Sequence, residues 1–169
     1  LIIRELYCSK QLGKINLIVN DSQFKTIRAL ENLLQSEKIF SYLVCTVQKR
    51  KGFGGAISSS DFVHEPGFSL ICLGDYIYKS EKIGDCTTQL VDFWKKNNKS
   101  VFGIKPILIT ETEKFGVVYG DWVTDNMLRI SKIIEKPEQE FARKNLMIKY
   151  RGKNRVFAFF GQYIIDNDI

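Results

Sequence analysis

A glycine-rich turn, Lys51-Gly52-Phe53-Gly54-Gly55-Ala56, follows an apolar strand-like run and precedes a short helical pattern. Because glycine has no Cβ, backbone N–H groups at such a turn can approach a ligand closely, and a helix N-terminus favours an anion. The spacing is neither that of a dinucleotide-binding fingerprint nor that of a phosphate-binding P-loop. A ligand-binding loop and a plain tight turn both remain open.

Asp75 follows the apolar run 68–73, with Gly74 between them. Such a run is typical of a strand that is covered on both faces. An aspartate at its carboxyl end would point into the crevice where open α/β sheets bind ligands. Mg²⁺ is commonly held by one or two carboxylates together with substrate phosphates. Asp75 is therefore a candidate Mg²⁺ ligand, and the alternative is a cap on the next turn.

A third group joins Gly116 to Glu135-Lys136-Pro137, in which Glu135 lies nineteen residues after the glycine. If two neighbouring strands carry them, the bare backbone of Gly116 lies beside a carboxylate and an ammonium group. That combination suits a phosphorylated sugar, since Glu accepts hydrogen bonds from hydroxyls and Lys offers a point charge to phosphate. The alternative is an ordinary exposed ion pair at a strand end.

The elements that must position these residues alternate between strand and helix in the first part of the chain. Asp21 is expected to cap a helix whose apolar face carries Phe24, Ile27, Leu30 and Leu34. A later helix should turn its apolar residues Leu90, Val91, Phe93 and Trp94 to the core. The predicted elements are strand 15–19, a helix after residue 20, strands 39–47 and 68–73, and helix 85–96.

The second part of the chain reads mainly as strands, at 101–109, 116–123, 127–135 and 155–165. Asp125-Asn126 is a good turn between the second and third of these strands. The polar stretch 137–154 is predicted to be a surface excursion. Together the two parts predict an α/β sandwich with a mixed, mostly parallel sheet, in one domain with one core.

Composition narrows the classes of protein that remain. The net charge of +6 would suit anionic nucleotides, sugar phosphates or a nucleic acid. Four cysteines without Cys-x-x-Cys spacing and a single histidine, His64, make no zinc set, so reduced structural cysteines are expected at Cys8, Cys45, Cys72 and Cys86. No apolar run is long enough to span a bilayer and no signal peptide is visible. We expect a cytoplasmic protein without a membrane partner.

In their order along the chain, these groups resemble the motifs of sugar-1-phosphate nucleotidyltransferases, most closely the bacterial-type UTP–glucose-1-phosphate uridylyltransferases. Residues 51–57 resemble that family's Lys-Gly-Leu-Gly-His-Ala-Ile, and residues 64–75 its Glu-Pro-Phe strand that leads to a metal-binding Asp. Residues 115–118 resemble Tyr-Gly-Val-Ile, and residues 133–137 resemble Met-Val-Glu-Lys-Pro. Further on, 145–146 and 161–164 are similar to the family's Asn-Leu and Gly-Arg-Tyr-Ile.

The resemblance implies a Rossmann-like, GT-A type three-layer sandwich and a set of roles. Gly52 and Gly54 would line the base and ribose of the nucleotide. Gly55 stands where the family has His, and Gln48 lies one step after the position of its base-reading Gln. Catalytic roles would fall to the residues that hold Mg²⁺ and the sugar phosphate, Asp75 and Lys136, while Gly116 and Glu135 would bind the sugar.

The implied reaction makes UDP-glucose from UTP and glucose-1-phosphate and releases pyrophosphate. The family's opening strand and triphosphate loop, and its second metal-binding Asp, have no counterpart in these residues, and 1–13 should match the helix after that loop. We therefore expect 1–169 to be a single partial domain, incomplete at both ends and inactive by itself.

Two other classes of protein stay open. A degenerate family member could act as a module that binds a sugar phosphate or nucleotide, and the missing triphosphate loop favours it. A nucleic-acid-binding domain could use the basic cluster 143–155, but that cluster lacks the interleaved aromatic residues typical of such binding. We expect no nucleic-acid partner. A homo-oligomer is compatible with the sequence.

Overall fold

The computed structural model describes residues 2–11, 14–36 and 42–167, which form two compact units: Leu1–Val101 with Gln162–Ile169, and Phe102–Gly161. The first unit contains α1 (Ile2–Ser9), β1 (Lys14–Val19), α2 (Asp21–Ser36), β2 (Tyr42–Val47), α3 (Phe53–Ile57), β3 (Phe68–Cys72) and α4 (Asp85–Asn97). The second contains β4 (Val101–Ile107, without its first residue), β5 (Gly116–Thr124), β6 (Met127–Glu135), α5 (Gln139–Asn145), β7 (Ile148–Tyr150) and most of β8 (Lys153–Asp166). Short 3-10 helices occupy Asp61–His64 and Ile109–Lys114. Among the described helices, none is both long and apolar enough to cross a bilayer.

Strands of both orientations occur, as the prediction of a mixed sheet requires. In the first unit β1 runs parallel to β2, and β3 runs antiparallel to the end of β8. In the second unit β5 is antiparallel to β6 and to β8, and β7 is antiparallel to β8. Of these pairs in the described part of the chain, β1–β2 is parallel and the others are antiparallel, so the prediction that the sheet is mostly parallel is corrected.

The start of α2 corrects one prediction about its cap. Asp21 is the first helical residue, and the cap is Asn20, whose Oδ1 accepts a hydrogen bond from the Gln23 N–H at 3.0 Å. The Gln23 Oε1 in turn accepts from the Asn20 N–H at 3.4 Å, which completes a reciprocal capping box. Asn and Asp cap helices about equally well. Here Asn20 is the cap because it lies three residues before Gln23 and exchanges hydrogen bonds with it. The expected side-chain positions of Leu30 and Leu34, and residues 39–41 of the second strand, lie outside what the structure describes.

A buried carboxylate joins α1 to the beginning of α4. Glu5 is 5% exposed, and its two oxygens accept hydrogen bonds from the N–H groups of Gly84 at 2.6 Å and Thr87 at 3.1 Å. These amides belong to the first turn of α4, where backbone donors have no partner within the helix and the helix dipole favours a negative charge. Gly84 has φ +97°, and a Cβ there would lie 2.6 Å from the Ser9 nitrogen, so only glycine lets α1 approach so closely.

From Thr87 a polar network continues to β8 and β3. Thr87 is fully buried, and its Oγ1 accepts a hydrogen bond from the Gln162 Nε2 at 3.1 Å. Gln162 lies opposite Cys72 in the β3–β8 pair and makes a side-chain hydrogen bond to the Cys72 thiol. Burial raises the pKa of that thiol to about 12, against the lowering effect of the Gln162 hydrogen bond. Cys72 is therefore a neutral structural thiol, and none of the four cysteines, all in the described part of the chain, forms a disulfide.

The core of the second unit corrects the prediction that 137–154 is a polar surface excursion. This stretch contains α5 and β7, and its Ala142 and Leu146 are fully buried against Val117 of β5 and Val156 of β8. Ala142 lies in α5, and Leu146, four residues further on, is the C-cap residue of this short helix, so both pack on the same side. Charged neighbours such as Arg143 and Lys144 are exposed and conceal this apolar face in the sequence.

Glu5→Gln should destabilise the chain, because the neutral amide offers one acceptor where the carboxylate offers two and it has no charge for the helix dipole. Hydrogen bonds to charged groups contribute about 1.5–3 kcal/mol each, so we expect a loss of about 1–3 kcal/mol in the free energy of unfolding. Urea denaturation followed by circular dichroism measures it. Glu81→Gln, at an exposed position, is the control and should change the value by less than about 0.5 kcal/mol. Equal stability of the two variants would contradict a capping role for Glu5.

Candidate functional site

The glycine-rich turn is held together by the side chain that precedes it. The Gln48 Nε2 donates to the carbonyl oxygens of Arg50 and Gly52, the latter at 3.0 Å. Gly52 has φ +86°, a conformation that non-glycine residues rarely adopt, and it directly precedes α3. The predicted order of strand, glycine turn and short helix is confirmed. The Gln48 amide nitrogen has a structural partner, while no described residue engages its Oε1.

Gly54 and Gly55 differ in the space around them. A Cβ at Gly54 would meet nothing within 4 Å, so this side of the turn is open. A Cβ at Gly55 would overlap the carbonyl oxygen of Arg50 and come within 2.7 Å of its carbonyl carbon. The Gly55 carbonyl also accepts a hydrogen bond at 2.7 Å from Ser59, which is 4% exposed. Gly55 thus packs the turn together, and Gly54 leaves room for a ligand.

Asp75 lies in the turn that follows β3, and it is exposed. Within the described part of the chain no hydrogen bond or ion pair engages its carboxylate, so no capping bond supports the alternative interpretation. Burial is the main reason that the pKa of nearby Tyr78 is raised, and the charges of Tyr163 and Asp75 add to it. Tyr163 also contacts Phe53, with 5.7 Å between ring centroids. The ring contact joins Tyr163 of β8 to the start of α3 at the glycine turn, within the first unit.

An exposed carboxylate of this kind fits one type of metal site. The described residues contain no cluster of three or more His, Cys, Asp or Glu that could hold a metal ion by itself. Mg²⁺ does not need such a cluster where substrate phosphates and water supply most of its oxygen ligands. Asp75 therefore suits a shared, substrate-dependent Mg²⁺ site rather than a permanent one.

In the second unit, Gly116 and Glu135 are direct partners across the antiparallel pair of β5 and β6. A Cβ at Gly116 would lie 3.0 Å from the Glu135 Oε2 and 3.0 Å from a ring carbon of Phe159. The expected juxtaposition of glycine and glutamate is thus confirmed. The absence of a side chain at Gly116 leaves the Glu135 carboxylate free to adopt its present position.

Lys136 is fixed by its backbone while its side chain stays in solvent. Its N–H donates to the Phe115 carbonyl at 3.0 Å, and its φ is +48°. Pro137, which follows, disfavours the right-handed helical conformation at this position. The Lys136 Nζ is 3.8 Å from a Glu135 oxygen, and the two side chains are 60% and 72% exposed. Such an exposed pair contributes little to stability, so both groups are available to a ligand.

A second cation near this group is absent from the sequence-based predictions. The Lys105 Nζ lies 5.4 Å from the centre of the Phe115 ring and 5.0 Å from that of Phe160. It therefore adds positive charge next to the residue that precedes Gly116. Strand periodicity places Lys105 within β4 but gives no signal of the two aromatic rings, which come from other strands and loops.

Comparison with known proteins decides the family. A model of the family described as "Nucleotidyl transferase" matches residues 4–169. The chain belongs to the nucleotidyl transferase family. The predicted resemblance to the uridylyltransferase branch is also confirmed by curated relatives. A UTP–glucose-1-phosphate uridylyltransferase of Pseudomonas aeruginosa is 30% identical over 155 residues, which cover 91% of this chain and 50% of the relative.

A second curated relative and two solved structures are similar to this chain as well. UTP–glucose-1-phosphate uridylyltransferase 2 of Staphylococcus saprophyticus is 26% identical over 141 residues, covering 83% of this chain and 44% of that protein. The chain spans about half the length of the curated relatives it matches. A crystal structure of a UDP-glucose pyrophosphorylase with UDP-glucose superposes with a TM-score of 0.77 at 22% identity, over 99% of this chain and 63% of that one. A UTP-bound enzyme from Acinetobacter baumannii gives 0.68 at 11% identity, over 98% and 64%. The predicted nucleotidyltransferase fold is confirmed.

Gly55→Ala and Gly54→Ala form a matched pair that tests the packing of the glycine turn in this nucleotidyl transferase domain. Overpacking at Gly55 should cost about 1–3 kcal/mol of unfolding free energy, since Arg50 must move. Gly54→Ala should be neutral or stabilising by up to about 1 kcal/mol, because alanine favours a helix and meets no neighbour. Urea denaturation of both variants measures the difference. Equal values would show that the Gly55–Arg50 contact does not constrain the turn.

Proposed function

We propose that the whole protein transfers a nucleotidyl group to a sugar-1-phosphate. The products are a nucleoside diphosphate sugar, with UDP-glucose as the first choice, and pyrophosphate; the substrates are UTP and glucose-1-phosphate. The observation that carries the proposal is the group formed by Gly116, Glu135 and Lys136 at one end of β5 and β6. The names of the curated relatives, which are UTP–glucose-1-phosphate uridylyltransferases, support the choice of substrates.

The sugar phosphate is assigned to the second unit. Glu135 is exposed and accepts hydrogen bonds from sugar hydroxyls, and the bare backbone of Gly116 lets the sugar ring approach it. Lys136 supplies a point charge to the phosphate group. Its backbone hydrogen bond to Phe115 fixes the origin of the side chain, so binding needs to order only the side chain itself.

The nucleotide is assigned to the glycine turn of the first unit. Gly52 and Gly54 line the base and ribose, because neither carries a side chain into the open side of the turn. Gln48 holds the turn through its Nε2, which leaves Oε1 as an acceptor for a donor group of the base. Gly55 contributes by packing, since its Cα faces Arg50 rather than open space.

Mg²⁺ is assigned to Asp75, which would hold it together with the phosphates of the nucleotide. When bound, the ion neutralises negative charge that the phosphates carry into the transition state. The remaining work is positioning: a phosphate oxygen of the sugar attacks the α-phosphorus in line, and pyrophosphate leaves. Such chemistry depends on alignment and charge neutralisation rather than on a protein nucleophile. The neutral Cys72 thiol, with its pKa raised by burial, is consistent with that.

The proposal extends to the setting of the reaction. We assign the protein to the cytoplasm, with nucleotide and sugar phosphate as its partners and no nucleic acid. Residues 1–169 are proposed to be part of one nucleotidyl transferase domain. The proposed function is compatible with a homo-oligomer.

Lys136→Ala in the full-length protein should weaken binding of glucose-1-phosphate much more than binding of UTP. A lost hydrogen bond between charged groups corresponds to about 1.5–3 kcal/mol, which is roughly a 10- to 100-fold higher dissociation constant. Isothermal titration calorimetry with each ligand measures both values. Lys132→Ala, which removes an exposed lysine from β6, the strand that precedes Lys136, is the control. Equal losses for the two ligands, or none, would indicate that Glu135 and Lys136 form only an exposed ion pair.

An activity assay on the wild-type protein separates an enzyme from a module that only binds the two ligands. Wild-type full-length protein that binds both ligands should also release pyrophosphate when Mg²⁺ is added, as measured with a coupled phosphatase assay. Tight binding of both ligands without any release would favour the alternative of a degenerate member that only binds them.

A further inference from the structure

The second unit contains a cationic cleft that shares no residue with the proposed sugar-phosphate group. It has a volume of about 500 Å³ and lies between the end of β4 with the following turn and the hairpin of β7 and β8. Its polar lining consists of Glu111, Tyr150, Arg151, Lys153 and Arg155. Three cationic residues and one acidic residue therefore line the same cleft, and the Glu111 Oε2 already accepts the Leu108 N–H at 3.0 Å.

The geometry of the hairpin keeps the three cations together. Tyr150 pairs with Lys153 and Ile148 with Arg155 across the two strands, so Lys153 and Arg155 lie on one face, two residues apart. The turn between the strands is Arg151-Gly152, with φ of +48° and +75°. Consecutive positive φ values are typical of the tight turns that fit the twist of a two-stranded hairpin. This turn fixes Arg151 at the tip of the hairpin, beside the other two cations.

No ion pair neutralises these cations within the described part of the chain: the salt bridges there involve Lys14 with Glu65 and Lys136 with Glu135. Like charges held on one face repel one another, and a multivalent anion would remove that repulsion. Two of the three are arginines, whose planar forks bind phosphate oxygens in pairs. We propose that the cleft is a binding site for a small molecule that carries phosphate groups.

The aromatic residues beside the cleft favour a small anion over a nucleic acid. Arg151 lies over the Tyr150 ring at 5.1 Å, and Trp122 stacks on Tyr150 with 4.8 Å between centroids and 29° between planes. Phe157 meets the edge of Tyr150 at 5.4 Å and 89°. These neighbours occupy the ring, so it does not offer the free stacking platform that single-stranded nucleic acids use. The volume is in the range of small-molecule sites.

Trp122 provides a local optical signal for binding in the cleft. The chain has two tryptophans, so Trp94→Phe leaves Trp122 as the only one. In this background, inorganic pyrophosphate titrated at low salt without Mg²⁺ should change the fluorescence in a saturable way. Inorganic phosphate should bind more weakly, because it reaches fewer of the three cations. Pyrophosphate is also a product of the proposed reaction, so the matched hairpin variants, and not the wild-type titration alone, assign the signal to the cleft.

Matched variants of the hairpin locate the site. The double variant Lys153→Gln/Arg155→Gln should raise the dissociation constant of pyrophosphate at least tenfold. Lys149→Gln, an exposed lysine that pairs with Asn154 and does not line the cleft, should change it by less than about twofold. Thermal unfolding checks that each variant is folded. If the double variant is not, Arg151→Gln at the exposed turn replaces it with the same expectation.

Three outcomes would overturn the proposal. The first is the absence of a saturable signal up to about 10 mM pyrophosphate, which lies beyond the weak end of specific binding. The second is an equal loss in Lys149→Gln and in the double variant, which would indicate a diffuse cationic surface. The third is binding of a 12-nucleotide single strand that Lys149→Gln also weakens and that pyrophosphate fails to displace.

Discussion

The first unit depends most on the hydrogen bonds that the buried Glu5 carboxylate accepts from the start of α4. The carboxylate gives two orphan amides of α4 a charged partner, at Gly84 and Thr87. A buried carboxylate without such partners would be strongly unfavourable, so the amides and the acid require each other. Thr87 in turn accepts a hydrogen bond from Gln162, which lies opposite Cys72 at the end of β3. This network fixes the end of β3, three residues before Asp75, and so determines where the candidate metal ligand emerges from the fold.

In the second unit, burial fixes the backbone of the candidate site, whereas its functional groups are exposed. Val117 and Val118 of β5 are completely buried, and the Phe115 carbonyl receives the Lys136 N–H at 3.0 Å. The carboxylate of Glu135 and the ammonium of Lys136, by contrast, are mostly exposed and only 3.8 Å apart. Polar groups that made strong internal contacts would have to lose them on binding a ligand. Groups that a buried scaffold holds in solvent bind at a lower cost, which is why this end of β5 and β6 suits a sugar phosphate.

Sequence patterns predicted the elements with strong periodicity and the turns with specific residues. Four features were accessible in that way: the bounds of β6, the turn at 125–126, a helix predicted at 85–96 and observed at 85–97, and the pairing of Gly116 with Glu135. The cap of α2 was not, because Asn20 and Asp21 are equally good caps and only the contact with Gln23 distinguishes them. The buried positions of Ala142 and Glu5 were not accessible either. The first lies among charged residues, and the partners of the second are about eighty residues away in the chain. The roles of the candidate site residues remain predictions.

We propose that Asp75 supplies a metal-binding charge for nucleotidyl transfer. Asp75→Asn in the full-length protein keeps the shape of the side chain and removes its charge, and kcat for pyrophosphate release measures the consequence. Because metal neutralisation provides several kcal/mol of transition-state stabilisation, kcat should fall about a hundredfold or more. The unfolding free energy should change by less than about 0.5 kcal/mol, as for other exposed positions. Retained activity together with a loss of about 1 kcal/mol in stability would instead identify Asp75 as a turn cap and contradict the account.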